Sequence, residues 1–210
     1  LKDLAQALGV SIPTVSRALK DSPEISRELC AKAKALAKEM NYRPNPFAMS
    51  LRKNAPRIIG VIVPDIVTHF FASILNGIEN MAIANGYFVI ITTSHESYEH
   101  EKRNIENLVN MRVEGIIACL SQETTDFSHI SALKDINMPL ILFDRVCLTD
   151  QFSSVIADGA QSAQMATQHL LDNGSERVAF IGGANHLDIV KRRKHGYLEA
   201  LRENRIPIEK

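Results

Sequence analysis

Three hydroxyls, one guanidinium and three apolar side chains make up the seven residues Ser11-Ile12-Pro13-Thr14-Val15-Ser16-Arg17. Hydroxyls donate to phosphate oxygens, and an arginine fork matches the O6 and N7 edge of guanine. Such a set suits nucleic-acid recognition if Ser11, Ile12, Pro13, Thr14, Ser16 and Arg17 share one solvent face. A second set follows apolar runs further along: Asp65, Thr93 and Ser94, Asp144 and Arg145, and Asp158, with Phe70 and Phe71 close behind Asp65. Carboxylates and an arginine bind hydroxyls, and an aromatic ring covers the apolar face of a sugar, so this set suits a polyhydroxylated ligand. Each carboxylate taken singly can equally be a loop or helix cap. A third cluster, His95-Glu96-Ser97-Tyr98-Glu99-His100, looks like a zinc-protease motif but has three residues between Glu96 and His100, where the motif needs two. A solvated loop is the expected reading there, with no metal.

The first set must be carried by helices. Leu4, Ala5 and Leu8 make an apolar stripe, Gly9 suits a left-handed helix end, and Ser11 with Pro13 suits a helix start. Val15, Ala18 and Leu19 form the stripe of the second helix, which leaves the polar set outward. This is the layout of a helix-turn-helix, although an ordinary αα-hairpin has the same pattern. Ser26 caps an expected third helix, Arg27–Asn41, whose Leu29, Ala33, Leu36, Ala37 and Met40 close a small core. Asn45 and Pro46 then suit the start of a short helix to about Leu51, with Ala48 and Leu51 on one side and Arg52 following.

The run D-L-A-x-x-L-G-V-S-x-x-T-V-S-R-A-L over Asp3–Leu19, followed by Y-R-P-N-x-x-A-x-x-L over Tyr42–Leu51, resembles the headpiece of the LacI/GalR family of bacterial transcriptional regulators. The resemblance implies a headpiece that reads the major groove and a hinge helix, with Asn45, Ala48, Leu51 and Arg52, that enters the minor groove. It also implies a homodimer and a core that couples a small-molecule effector, a sugar or related metabolite, to affinity for double-stranded operator DNA. Arg193 matches the family's R-x-x-G-[FY]-x-x-A-L pattern, continued by Gly196, Tyr197, Ala200 and Leu201, and the resemblance places it in the effector cleft beside Asp65, Phe70, Phe71, Ser94, Asp144, Arg145 and Asp158.

Beyond Ile58 the pattern becomes α/β. The run 58–63 is continuously apolar, as in a strand buried on both faces. Expected elements alternate: helix Phe70–Asn85, strand Tyr87–Thr92, helix Glu99–Met111, strand Gly115–Leu120, helix Ser128–Asp135, strand Leu140–Phe143, strand Ser154–Ala157, helix Gly159–Asp172, strand Val178–Gly182 and helix Lys191–Glu203. That alternation predicts a parallel sheet covered by helices, which the resemblance refines to a periplasmic-binding-protein-like core. The expected domains are an all-α headpiece (1–44), hinge and linker (45–57), a first lobe (58–152) and an incomplete second lobe (153–210). The chain is expected to be a fragment, since it starts inside the first helix and stops where the second lobe is barely half built. On the first core helix, Ile74, Ile78 and Met81 are candidates for a dimer interface or for core.

Charge supports the division. Residues 1–57 hold 11 Lys and Arg against 5 Asp and Glu, and the remainder holds 13 against 19. A basic head on an acidic body suggests that the head alone meets a polyanion. The three cysteines, Cys30, Cys119 and Cys147, sit at unrelated spacings in apolar surroundings and read as buried thiols in a reducing cytoplasm. There is no G-x-G-x-x-G, G-x-S-x-G or Walker sequence, so a dinucleotide cofactor and catalysis are not expected. The competing readings are a periplasmic-type sugar receptor and an α/β enzyme; binding to duplex DNA separates them.

Overall fold

A computed structural model describes residues 1–42 and 57–208. The chain divides into two compact units, Leu1–Pro56 and Arg57–Lys210. The expected hinge helix, with Asn45, Ala48, Leu51 and Arg52, lies outside the described residues.

The first unit holds α1 (Lys2–Leu8), α2 (Ile12–Ala18) and α3 (Arg27–Glu39). Gly9 ends α1 at φ 64°, the left-handed conformation that a Cβ would oppose. Ser11 Oγ accepts the Thr14 N–H at 3.3 Å, and Ser26 Oγ accepts the Leu29 N–H at 3.3 Å, so both later helices start on side-chain caps. Leu4, Ala5, Val15 and Ala37 form one core cluster, and Ala18, Cys30 and Ala33 form another. Met40 departs from the expected core and is exposed. Helix α3 ends at Glu39, and the chain turns away through Asn41 at φ 47°. The third-helix face is closed by Cys30 instead.

The second unit is built on five parallel strands in the order β2-β1-β3-β4-β5: β1 Ile58–Val63, β2 Phe88–Thr93, β3 Gly115–Ala118, β4 Leu140–Phe143 and β5 Ser153–Val155. Helices α4 (His69–Ala84), α5 (Tyr98–Asn110) and α6 (Ser128–Asp135) connect the first four strands, and α7 (Gly159–Asp172) and α8 (Asp188–Glu203) follow β5. β1 lies between β2 and β3, with apolar clusters on both faces, which accounts for its unbroken apolar run. Gly60 within it makes room for α5, because a Cβ there would stand 2.6 Å from Leu108 Cδ1. Ile74 and Ile78 of α4 pack against the core cluster around Phe71 and Leu75, whereas Met81 is exposed.

Two expectations change. The strand assigned to the opening of the second lobe, Ser154–Ala157, is the short β5 and joins the first sheet beside β4, with Leu142 paired to Ser154. The expected strand Val178–Gly182 is not a strand. Its apolar residues have no ladder partner among the described residues, and Tyr197 Oη donates to Val178 O at 2.8 Å. Hydrophobic pattern alone proposes strands; a neighbouring backbone in register is what makes one.

Helices α7 and α8 pack backbone to backbone at Gly196, where an added Cβ would lie 1.9 Å from Ala160 O. Alanine favours a helix over glycine by about 1 kcal/mol, but this contact forces the helices apart, and overpacking costs about 1–3 kcal/mol. The second effect wins. Gly196→Ala is therefore expected to lower the urea midpoint of the core; a raised midpoint would show that the helices do not pack this closely.

Candidate functional site

On α2 the apolar residues face inward: Val15 and Ala18 are fully buried. Ile12, Pro13 and Arg17 are exposed, and Thr14 and Ser16 are half-buried. Ser11 and Thr14 hydroxyls are linked at 2.8 Å, which orders the helix start. The six residues singled out from sequence thus run along one short helix, from the Ser11 cap to Arg17 in its last turn, and none of them is buried. Arg17 is not bare: its Nη1 meets Glu24 Oε2 at 2.9 Å.

In the core unit, strand order 2-1-3-4-5 reverses direction at β1 and β3, and ligand crevices in such sheets open at the carboxyl ends beside that switch. Asp65 follows β1 there, with its Oδ1 accepting the Val67 N–H at 2.8 Å. Asp144 follows β4 at φ 58° and is half-buried. Burial pushes its carboxyl above the ordinary range, against the opposing pull of Arg145 and Arg193. Those influences also place Arg193, on α8, within electrostatic reach of Asp144. Arg193 Cγ is 3.3 Å from where a Cβ of Gly159 would stand, so the first turn of α7 borders the same end. A cavity of about 450 Å³, in the range of small-molecule sites, opens beside Arg145 with Thr124, Leu148, His186 and Lys191 in its wall. A larger cavity of about 930 Å³ lies under the 176–183 segment and is lined by none of these strand-end residues.

Three candidates change character. Phe71 is buried in the core, edge-on to Phe143 at 6.4 Å, because it falls on the inward stripe of α4; Phe70 is half exposed. Ser94 is fully buried and accepts a hydrogen bond from Ser121 Oγ at 2.8 Å, so it supports the crevice floor without facing it. Asp158 caps α7 by accepting the Gln161 N–H at 3.0 Å, the capping alternative open to any carboxylate at a helix start. His95 and His100 stack edge-on at 6.1 Å, and among the described residues no group of His, Cys, Asp or Glu could hold a metal. The three cysteines are free and buried.

Sequence reading missed two glutamates. Glu96 holds Arg145 through both guanidinium ends, 2.5 Å to Nη1 and 2.9 Å to Nη2, and accepts the Gln122 N–H at 2.7 Å. Glu101 is fully buried and accepts from Ser121 N at 2.5 Å, Thr124 Oγ1 at 2.9 Å and His129 Nε2 at 2.8 Å. The one signal was a charged residue on the Ile105–Leu108 stripe of α5; Glu101 lies four residues before Ile105.

With that geometry in view, comparison with known proteins is decisive. Residues 57–210 match the model of periplasmic binding proteins and the sugar-binding domain of the LacI family, and residues 1–45 match that of bacterial regulatory proteins of the lacI family. The chain belongs to the LacI family. Catabolite control protein A of Priestia megaterium is 32% identical over 211 residues, with 98% of this chain and 62% of that protein covered. The ribose operon repressor of Bacillus subtilis is 31% identical, with 100% and 62% covered. The crystal structure of the lac repressor dimer bound to operator and the anti-inducer ONPF has a TM-score of 0.78 at 26% identity, with 98% of this chain and 62% of that one covered. This LacI-family chain therefore spans about three fifths of the length of these relatives. Among the described residues no helix is long and apolar enough to cross a membrane.

Burial alone would raise the Glu96 carboxyl, but the Arg145 guanidinium and the Gln122 N–H outweigh it and hold the group below the ordinary range. A depressed carboxyl contributes stability above its unfolded value, about 4.3, and loses it as the pH falls through the lower folded value. The stability gap between wild type and Glu96→Gln is therefore expected to narrow through that acid window in a pH series of urea melts. A gap that stays constant would show that the Glu96–Arg145 pair adds no charge-dependent stability.

Proposed function

We propose that the protein is a sequence-specific transcriptional regulator, a repressor, whose headpiece binds operator DNA and whose core releases or strengthens that grip on binding a small sugar. The observation that carries this reading is the outward face of α2: a capped helix start, two hydroxyls and an arginine left unburied over a closed three-helix core. A helix in that setting enters the major groove with its N-terminal residues toward base edges. Two relatives named as ribose operon repressors support a sugar as the effector class. We infer further that it acts as a cytoplasmic homodimer, with no catalytic step and no cofactor, and that a headpiece to about 44, a hinge to 57 and a first lobe extended past 152 to include β5 follow the family's division of labour.

In this reading Ser11, Thr14 and Ser16 contact phosphates, Arg17 addresses a guanine, and Ile12 and Pro13 lie against the groove floor. Arg17→Ala in the full-length protein is expected to cost about 1–3 kcal/mol and to relax preference at one base pair. Equal weakening on all duplexes, with a shallower salt dependence, would make Arg17 a phosphate contact. Duplex binding that is insensitive to salt, or absent, would overturn the regulator itself.

For the effector, Phe70 supplies the aromatic face, and Asp65, Asp144 and Arg193 supply hydrogen bonds, with Arg145 held in place by Glu96. A ligand hydroxyl donating to Asp144 favours the ionised carboxylate. Affinity for the effective sugar, found from a panel by calorimetry, is expected to fall as the pH drops through the raised range of Asp144. Glu96 titrates lower, so the two windows separate. Asp144→Asn should cost tenfold or more in affinity, roughly the 1.5–3 kcal/mol of a hydrogen bond to a charged group, and should remove the pH dependence. Retained pH dependence in that variant would move the acceptor elsewhere.

A further inference from the structure

The link between α2 and α3 carries two carboxylates inside a basic unit. Asp21 is occupied by Lys34 of α3, at 2.5 and 2.7 Å. Glu24 is not turned toward α3 but toward the reading helix: its Oε2 is 2.9 Å from Arg17 Nη1, and both side chains remain more than half exposed, 59% for Arg17 and 65% for Glu24. An exposed pair of this kind adds almost nothing to stability. In this structure it directs the guanidinium toward Glu24.

We propose that Glu24 is a specificity-determining positioning residue, which holds Arg17 ready for a guanine edge and denies it to phosphates. The proposal rests on the DNA-binding reading above. A guanidinium has five N–H donors, and the pair engages one nitrogen, so the remaining donors can address O6 and N7 while Glu24 stays attached. A phosphate on the same donors carries its own negative charge up against the Glu24 carboxylate, and if Arg17 leaves Glu24 to reach one, the released carboxylate stands against the polyanion. Non-specific binding therefore bears a penalty that guanine readout avoids. The same contact restricts the rotamers of a long side chain, so less freedom is lost when the guanine is bound. The sequence hides this, because Glu24 is seven residues from Arg17 and off its helix, and an acidic residue in a basic headpiece reads as surface.

The test uses full-length protein and a duplex enriched from a random library by the wild type, with Arg17's base pair identified as the one whose preference Arg17→Ala abolishes. Glu24→Ala is expected to reduce discrimination between the enriched duplex and its A·T-substituted version by about tenfold, within the value of one bidentate pair. On a random duplex it should bind more tightly and with a log–log salt slope steeper by about 0.9, one added phosphate contact. Glu24→Gln keeps an acceptor oxygen without the charge; it should recover most of the discrimination and retain the steeper slope. In an Arg17→Ala background, Glu24→Ala should change neither quantity. Discrimination unchanged within twofold in Glu24→Ala, or an equal loss without Arg17, overturns the proposal. A wild type that enriches no duplex overturns instead the DNA-binding reading on which it stands.

Discussion

Glu101 is fully buried, and a carboxylate withdrawn from water costs several kcal/mol unless fixed donors replace its hydration. Here the donors are the Ser121 N–H, the Thr124 hydroxyl and His129 Nε2. Two of the three belong to the segment that leaves β3, and the third is on the helix that follows it. Satisfying one charge thus ties that segment to α5 and fixes where it runs over the strand ends. Ser121 then reaches Ser94 through its hydroxyl, and Gln122 presents its N–H to Glu96 and its carbonyl to His186 Nε2 at 2.7 Å. The arginine at the end of β4 is held in turn, through Glu96 and through Leu120 O at 3.2 Å. The orientation of Arg145 traces back to the burial of Glu101. His129 pays into the same network with one nitrogen; its Nδ1 is buried with no hydrogen-bond partner among the described residues.

A parallel sheet makes such an arrangement useful. All carboxyl ends of the strands open on one side, so residues distant in sequence converge without long loops. Asp65, Glu96, Asp144 with Arg145, and Arg193 come from four different stretches, and each of these five residues alters the electrostatics of at least one other. Three carboxylates and two guanidiniums leave little net charge there, which suits a neutral, hydroxylated ligand better than a strongly charged one.

The headpiece solves a different problem. Its core is small, and Ala18 and Ala33, both fully buried, let α2 and α3 approach closely. Caps at Ser11 and Ser26 fix where those helices begin, and with so little apolar area each cap matters. The face of α2 that is not needed for this packing stays at the surface, and in the proposed function it is the face offered to DNA; the exposed Arg17–Glu24 contact is free of any part in the core.

Much of this was legible in the chain itself. Gly9, Ser11 and Ser26 announced helix ends through local backbone chemistry, and the apolar run 58–63 announced a strand covered on both faces. These are short-range signals, carried by neighbouring residues, and helices Ser128–Asp135 and Gly159–Asp172 were read to the residue. Tertiary structure decided the rest. Only packing could show that Phe71 faces the core while Phe70 does not, that Ser94 is sealed by Ser121, and that Asp158 is occupied as a cap. The short strand Ser153–Val155 joined the first sheet because β4 offered it a register, and residues 178–182 formed no strand, having no ladder partner among the described residues. Glu96 and Glu101 were invisible for the same reason. A buried charge declares itself through its partners, here 20 to 49 residues away along the chain, and pairing over such distances is a property of the fold and not of local sequence.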